Sequence, residues 1–368
     1  MGDLGLKRRD VINHVLDQVW RVRTPWLAES TGPMKRMQAL VACVFRGFEM
    51  ISMTPPDVDY NPNMYATTGD SGLYKGTKWT LELDPTFASA EKVREQGDLA
   101  LRECLDTVYH EARHHEQHMH ARWYWLTLGE ASANFKKNLP IYKENNMPLT
   151  RGLNENFGIP PKYAEGLAKM IMARPRYEGS ELEQIKKWYE ECFGSFSSDK
   201  SSIMTALRTQ SKGRDSIYSM YRTIFMEDDG WETGYLCGDL YLARSFNEKK
   251  ASKEKTIRDG ERKLQLLKEA QETKKLNLVQ VYNKVKGAGG GQAKLNLIKQ
   301  KHAELKLDDA KIQMYENAIN GEKLKLGKEK GGVQSLLKRH RESMTEHRLK
   351  AYGARQRHGL YQGTAVPR

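Results

Sequence analysis

Val11, Val15 and Val19 recur at a spacing of four, and Met37, Leu40, Val41, Val44 and Phe45 keep that period beyond Gly32-Pro33. This predicts two helices over residues 8–53. A stretch rich in turn formers, 54–72, reads as a loop. Over 77–83 the period drops to two: Trp79, Leu81 and Leu83 face one way, Lys78, Thr80 and Glu82 the other. That is a half-exposed strand, ended by Asp84-Pro85. From 101 to 128 the helical period returns, with Leu101, Leu105, Val108, Ala112 and Met119 on one side of the helix. Further helices are predicted over 161–173 and 181–192, and an aromatic, apolar segment over 216–225 runs into Glu227-Asp228-Asp229.

From about Asn247 the composition shifts to Lys, Glu, Leu, Gln and Ala. Leu264, Leu267, Ala293, Leu297, Ala303, Leu307, Ile312 and Ile319 keep spacings of three, four or their multiples, as in a helical hairpin or coiled coil. The layout expected is helix, glycine turn at 287–291, helix, then a shorter basic helix from Val333. Residues 249–368 carry 29 Lys and Arg against 13 Asp and Glu, a net +16, which leaves −3 for residues 1–248 out of the total of +13. The expectation is a mainly α fold with a small β component (α+β). Its parts are a head over 1–246, a basic helical hairpin over 247–355 and a disordered tail over 356–368.

Cys43, Cys104, Cys192 and Cys237 are scattered and match neither a C-x-x-C site nor a dense disulfide framework. The stretch after Lys7, Arg8 and Arg9 is interrupted by Asn13, His14, Asp17 and Gln18 and cannot form a signal-peptide core. No uncharged apolar run is long enough to span a bilayer. A chain made in the cytoplasm, with any export leaderless, is expected.

His110, Glu111 and His114 spell H-E-x-x-H within the predicted helix over 101–128. At 3.6 residues per turn both imidazoles leave one side of the helix and can bind one ion. They lie opposite the apolar stripe, facing a space that another segment could close. Glu111 follows the first ligand, where its carboxylate can reach a water on that ion. His118 continues the series but lies about 12 Å along the axis from His110, so a third ligand must come from elsewhere. Spacing alone leaves Glu130, Glu165, Glu227, Asp228, Asp229 and Glu232 open. His115 reads as a core histidine, His118 and His120 as exposed or lying behind the ligands, and Glu116 as a paired structural carboxylate.

The string from Tyr109 to Gln117 resembles the H-E-x-R-H-x-E-Q motif of zinc metallopeptidase domains in bacterial polymorphic and injected toxins. The resemblance extends to the G-x-x-W-x-L-E-x-D-P stretch within 73–85, to Gly158-Ile159-Pro160, and to the segment from Tyr221-Arg222 to Gly234. It covers roughly 70–240. It implies a zincin-like head with one catalytic Zn2+ held by His110, His114 and Glu227, and Glu111 as the proton-transferring base. Asp229 would be the carboxylate behind the ligands or the alternative ligand, Arg113 and Gln117 would support the site, and Tyr221 or Arg222 would stabilise an oxyanion. The departure is Gly230, where the pattern has alanine and where glycine loosens the helix. The strand with Trp79, Leu81 and Leu83 would edge a cleft for an extended peptide.

The function implied is hydrolysis of an amide bond in a target cell by a toxin delivered through a contractile or type VI-like apparatus. Its partners would be a peptide or protein substrate, an immunity protein, and a component of the apparatus or a chaperone. The contrasting reading is a non-enzymatic interaction protein that works through its coiled tail. Nucleic-acid binding through 249–368 ranks last, because the tail has little aromatic interleaving for base stacking and no helix-turn-helix or zinc-finger signature.

Overall fold

The computed structural model describes residues 4–68, 70–144, 148–173, 177–194, 203, 205, 221, 222, 224–287 and 292–358. The expectations for 206–220, 288–291 and 359–368 lie outside the described residues. The protein is mainly α-helical with one small sheet. It divides into two compact units, Met1–Leu242 with Arg339–Arg368, and Ala243–Lys338.

In the first unit α1 (Arg9–Leu27) and α2 (Pro33–Met50) pack through Val11, Val15 and Val19 against Met37, Leu40 and Val44. Pro33 opens α2, where a missing N–H costs nothing. Carbonyls at the end of α1 are met by buried Arg36, whose guanidinium donates to Trp26 O and Ala28 O, each at 2.8 Å, and to Ala88 O at 2.9 Å. One side chain thereby satisfies a helix terminus and fixes the turn between two helices.

Residues 54–72 are more than a loop, since they contain β1 (Asp57–Tyr60) and α3 (Met64–Thr68). With β2 (Gly72–Lys75) and β3 (Thr80–Leu83) the sheet has the order β1-β3-β2; β1 runs parallel to β3 and β2 antiparallel to it. The strand expected from residue 77 therefore begins at Thr80. Trp79 stands in the preceding turn with φ +57°, its ring stacked on Tyr163 at 4.7 Å and its carbonyl accepting from the Tyr163 hydroxyl at 2.9 Å. Tertiary stacking outweighs the local alternation there. Because β3 is the central strand, paired on both sides, an extended peptide cannot add to it as a further strand. The strand against the motif helix is β2.

After α4 (Ala90–Gln96), α5 (Asp98–Thr127) carries the motif, and it is buried on nearly every face as far as Ala121. Around it pack α6 (Ser132–Glu144), α7 (Leu149–Phe157), α8 (Pro161–Ala173), α9 (Gly179–Cys192) and the start of α10 (Phe225–Gly287). Glu191 of α9 accepts from the first N–H groups of α10, Phe225 at 2.7 Å and Met226 at 2.8 Å. This cap sets where Glu227 begins.

The segment before α1 docks on α5. Leu6 N–H donates to Glu116 at 2.9 Å, Tyr109 OH to Leu6 O at 2.7 Å, and Arg113 to Leu4 O at 2.7 Å. Gly5 makes this approach at φ +55°, and a Cβ there would lie 1.5 Å from Glu116 Oε1. Only glycine fits.

In the second unit the later part of α10 pairs antiparallel with α11 (Gln292–His358). Lys253 meets Glu329, Lys268 meets Glu316, and Lys274 meets Asp308. Ile257, Leu305 and Ile319 are buried, whereas Leu297 and Leu307 of the expected stripe are exposed. Helix α11 passes unbroken through Gly331-Gly332 and reaches His358, so a break before Val333 and a disordered start to 356–368 are both corrected. An exposed glycine costs a helix only about 1 kcal/mol, which a long helix absorbs. Among the described residues no helix is long and apolar enough to cross a membrane.

Candidate metal centre

His110 and His114 leave α5 on one side, their Nε2 atoms 3.0 Å apart. Glu227, in the first turn of α10, brings Oε2 to 3.2 Å from His114 Nε2 and 3.6 Å from His110 Nε2. Bonds of about 2.0–2.1 Å to a tetrahedral cation give ligand-to-ligand edges of about 3.3 Å. The three observed edges bracket that value. Two imidazoles and a carboxylate also suit Zn2+ in donor chemistry. The residues present therefore fit such an ion.

Glu111 stands at the rim of this triangle, Oε1 3.7 Å from His110 Nε2, and its Oε2 accepts from the backbone N–H of Tyr74 in β2 at 2.7 Å. Burial pushes its carboxyl above the ordinary range, while His110 and His114 pull it back. Among the described residues His110, Glu111 and His114 form a buried group with ligand atoms within 4.8 Å of one another. Glu227 approaches the pair more closely than Glu111 does.

Asp229 is not placed as a ligand. Its carboxylate accepts from Arg113 Nε at 2.8 Å, from Gln117 Nε2 at 2.9 Å and from Lys7 at 3.3 Å. Burial opposes its charge, but Arg113 and Lys7 hold the group below the usual carboxylate range. Arg113 is itself fully buried, donates to Glu116 at 2.7 Å and packs over the Trp188 ring at 4.9 Å.

Tyr221 is hydrogen-bonded to Glu227, and burial first, then Glu227 and Glu111, raise its phenol above the ordinary value. Arg222 lies over the Trp231 ring at 4.1 Å and donates to Tyr235 OH at 3.4 Å. Of the two, Tyr221 touches the Glu227 carboxylate. His118 and His120 are buried rather than exposed, and His118 Nδ1 is 3.0 Å from Tyr74 OH. Burial pushes both His115 and His120 down to about 3, so they stay neutral.

Sequence reasoning missed how α10 reaches α5. Gly230, Gly234 and Gly238 form a ridge at a spacing of four. A Cβ on Gly230 would sit 3.1 Å from His110 Nδ1 and 3.2 Å from His114 Cε1. One on Gly234 would sit 2.4 Å from Asp106 Oδ1, and one on Gly238 3.0 Å from Arg102 Nε. Gly230 is thus a point of close approach that seats Glu227 against the histidines, not a loosening of the helix. The missed signal was the four-residue period of the glycines.

Beside this ridge, burial pushes Asp106 up to about 7, with Arg102 at 3.5 Å lowering it and Asp239 raising it. A folded-state value above the ordinary one contributes stability below about pH 4 that is lost as pH rises through about 7. Asp106→Asn, which mimics the protonated carboxyl, should flatten that dependence and stabilise the protein by about 1–3 kcal/mol at pH 8. Urea denaturation at pH 5 and pH 8 measures it, and an equal effect at both would show that Asp106 does not titrate between them.

Compared with family models, with curated proteins and with solved structures, the chain matches none.

Proposed function

We propose that the first unit is a zinc-dependent hydrolase of the metallopeptidase type, acting on an amide bond. The observation that carries this reading is the triangle of His110 Nε2, His114 Nε2 and Glu227 Oε2, with edges of 3.0, 3.2 and 3.6 Å. When bound there, Zn2+ would polarise a carbonyl and acidify a water. Glu111, whose Oε1 lies 3.7 Å from His110 Nε2, would be the group that carries the proton from the attacking water to the leaving amine. Tyr221, hydrogen-bonded to Glu227, is the nearer candidate to stabilise developing negative charge on the substrate oxygen. An extended peptide would lie along β2, where the Tyr74 N–H now held by Glu111 is turned toward the centre.

Action as a toxin in a target cell, an immunity protein and a delivery apparatus or chaperone enter through the motif resemblance. The basic hairpin would dock that apparatus.

Purified protein should contain about one zinc per chain, and His110→Ala should release it. Glu111→Gln should keep the zinc but lose about 10²–10⁴-fold in hydrolysis, read as target-cell toxicity or as cleavage of a peptide library. A folded, zinc-loaded Glu111→Gln protein with full toxicity would instead favour the non-enzymatic reading.

A further inference from the structure

A metal-bound histidine presents one ring nitrogen to the ion, and the proton on the other must find an acceptor. In α5 the neighbour of His114 is Gln117, one turn on, with Oε1 2.7 Å from His114 Nδ1. The other end of that amide donates to Met226 O at 3.0 Å and to Asp229 Oδ2 at 2.9 Å. A carbonyl can only accept, and so can a carboxylate kept ionised by Arg113 and Lys7. The amide NH2 must therefore face Met226 and Asp229, which turns its oxygen toward the imidazole. An oxygen carrying no hydrogen can only accept, so a proton lies on Nδ1, and in the neutral ring that zinc binding requires the lone pair is on Nε2.

We infer that Gln117 is a positioning residue that fixes His114 in the Nδ1–H tautomer and so reserves Nε2 for the cation. The inference rests on the metal-centre reading for its purpose, but the tautomer is a property of the apo protein. Asp229 acquires a role here that its position beside Glu227 conceals: it anchors the amide that orients a ligand. The chain of contacts runs from Arg113 through Asp229 and Gln117 to His114. All four side chains are buried, so water does not compete for the acceptor.

The test is a long-range proton–nitrogen NMR correlation of the histidine rings in the apo full-length protein, paired with zinc affinity by chelator competition. His114 should show the Nδ1–H pattern. Gln117→Leu should lose that pattern and bind zinc about 10–100-fold more weakly. Gln117→Glu, which keeps an acceptor toward His114 while crowding Asp229, should retain the Nδ1–H pattern, an outcome that a packing role alone does not give. An Nε2–H pattern in the parent protein would overturn the inference even where Gln117→Leu fails to fold. So would a folded Gln117→Leu protein with unchanged tautomer and affinity. A parent protein that binds no zinc would sink the metal-centre reading separately, and its apo-state tautomer would still decide the role of Gln117.

Discussion

Glu227→Ala should weaken zinc binding by on the order of 10³-fold, about 4 kcal/mol, while leaving the apo fold within about 1 kcal/mol of the parent. Two imidazoles one helical turn apart offer only one edge of a coordination tetrahedron. In the proposed centre the third corner is Glu227, 113 positions from His114, whose Oε2 stands 3.2 Å from the His114 Nε2. Removing it also removes a buried negative charge that raises the Glu111 carboxyl. Metal loss without unfolding is therefore the expected signature. Chelator competition and thermal melting of the same preparation measure the two halves. Zinc retained at the parent's affinity would remove Glu227 from the ligand set, and Glu111 would then be the nearest carboxylate to take its place.

The same contrast shows what the sequence could and could not disclose. The spacing of His110 and His114 is a local property of one helix, and 3.6 residues per turn suffices to put both rings on one side. Choosing Glu227 over Asp229 is not local. It depends on where α10 starts, and that start is set by Glu191, a residue in another helix. The motif resemblance supplied the preference; the geometry supplies a reason, because every described contact of the Asp229 carboxylate is with a donor of the Arg113, Lys7, Gln117 and Gln184 set.

The small β elements were hidden for a different reason. Asp57–Tyr60 is four residues long, half-exposed, and follows two prolines, so its alternation is too short to stand out, and its partner in β3 lies beyond a helix and another strand. Trp79 fits a period-two pattern yet stands outside the strand, because its stack on Tyr163 is a contact no local rule contains. The glycine ridge was legible as a period of four but invites the wrong conclusion when each glycine is weighed alone. Weak helix propensity at Gly230 is the local effect; the approach of α10 so close that a Cβ there would lie 3.1 Å from the His110 ring is the tertiary one. In the tail, period-three and period-four apolar positions predict helices correctly but not which side pairs: Ile257, Leu305 and Ile319 are buried while Leu297 and Leu307 are exposed.

Arg113→Leu should destabilise the folded protein by about 3–5 kcal/mol at pH 7, a large share of the stability of an ordinary domain. Arg113 is fully buried and meets Asp229, Glu116 and Leu4 O at once. A leucine would fill much of its volume, but it would leave buried Glu116 without a cation, leave Asp229 with Lys7 alone, and leave a backbone carbonyl without its donor. The pH dependence identifies the cause. In the parent, Asp229 is held below its ordinary range by Arg113, so its contribution is present at neutral pH and lost as pH falls through that depressed value. Glu116 is already raised by burial, with Arg113 pulling it down, and would rise further without it. In the variant Glu116, now without a cation, takes up a proton on mild acidification, and Asp229, held by Lys7 alone, follows at a higher pH than in the parent. The gap between parent and variant should therefore narrow as pH falls from 7 to about 4.5, and urea denaturation at the two values measures it. A gap that stayed constant would mean that lost packing on Trp188, rather than stranded charge, dominates. A gap below about 1 kcal/mol at pH 7 would show that the Arg113 network does not hold the first unit together. Glu227 and Asp229, two residues apart in one helix turn, thus divide the labour between cation and fold: losing the first should cost the metal, and losing the second's partner should cost the structure that aims it.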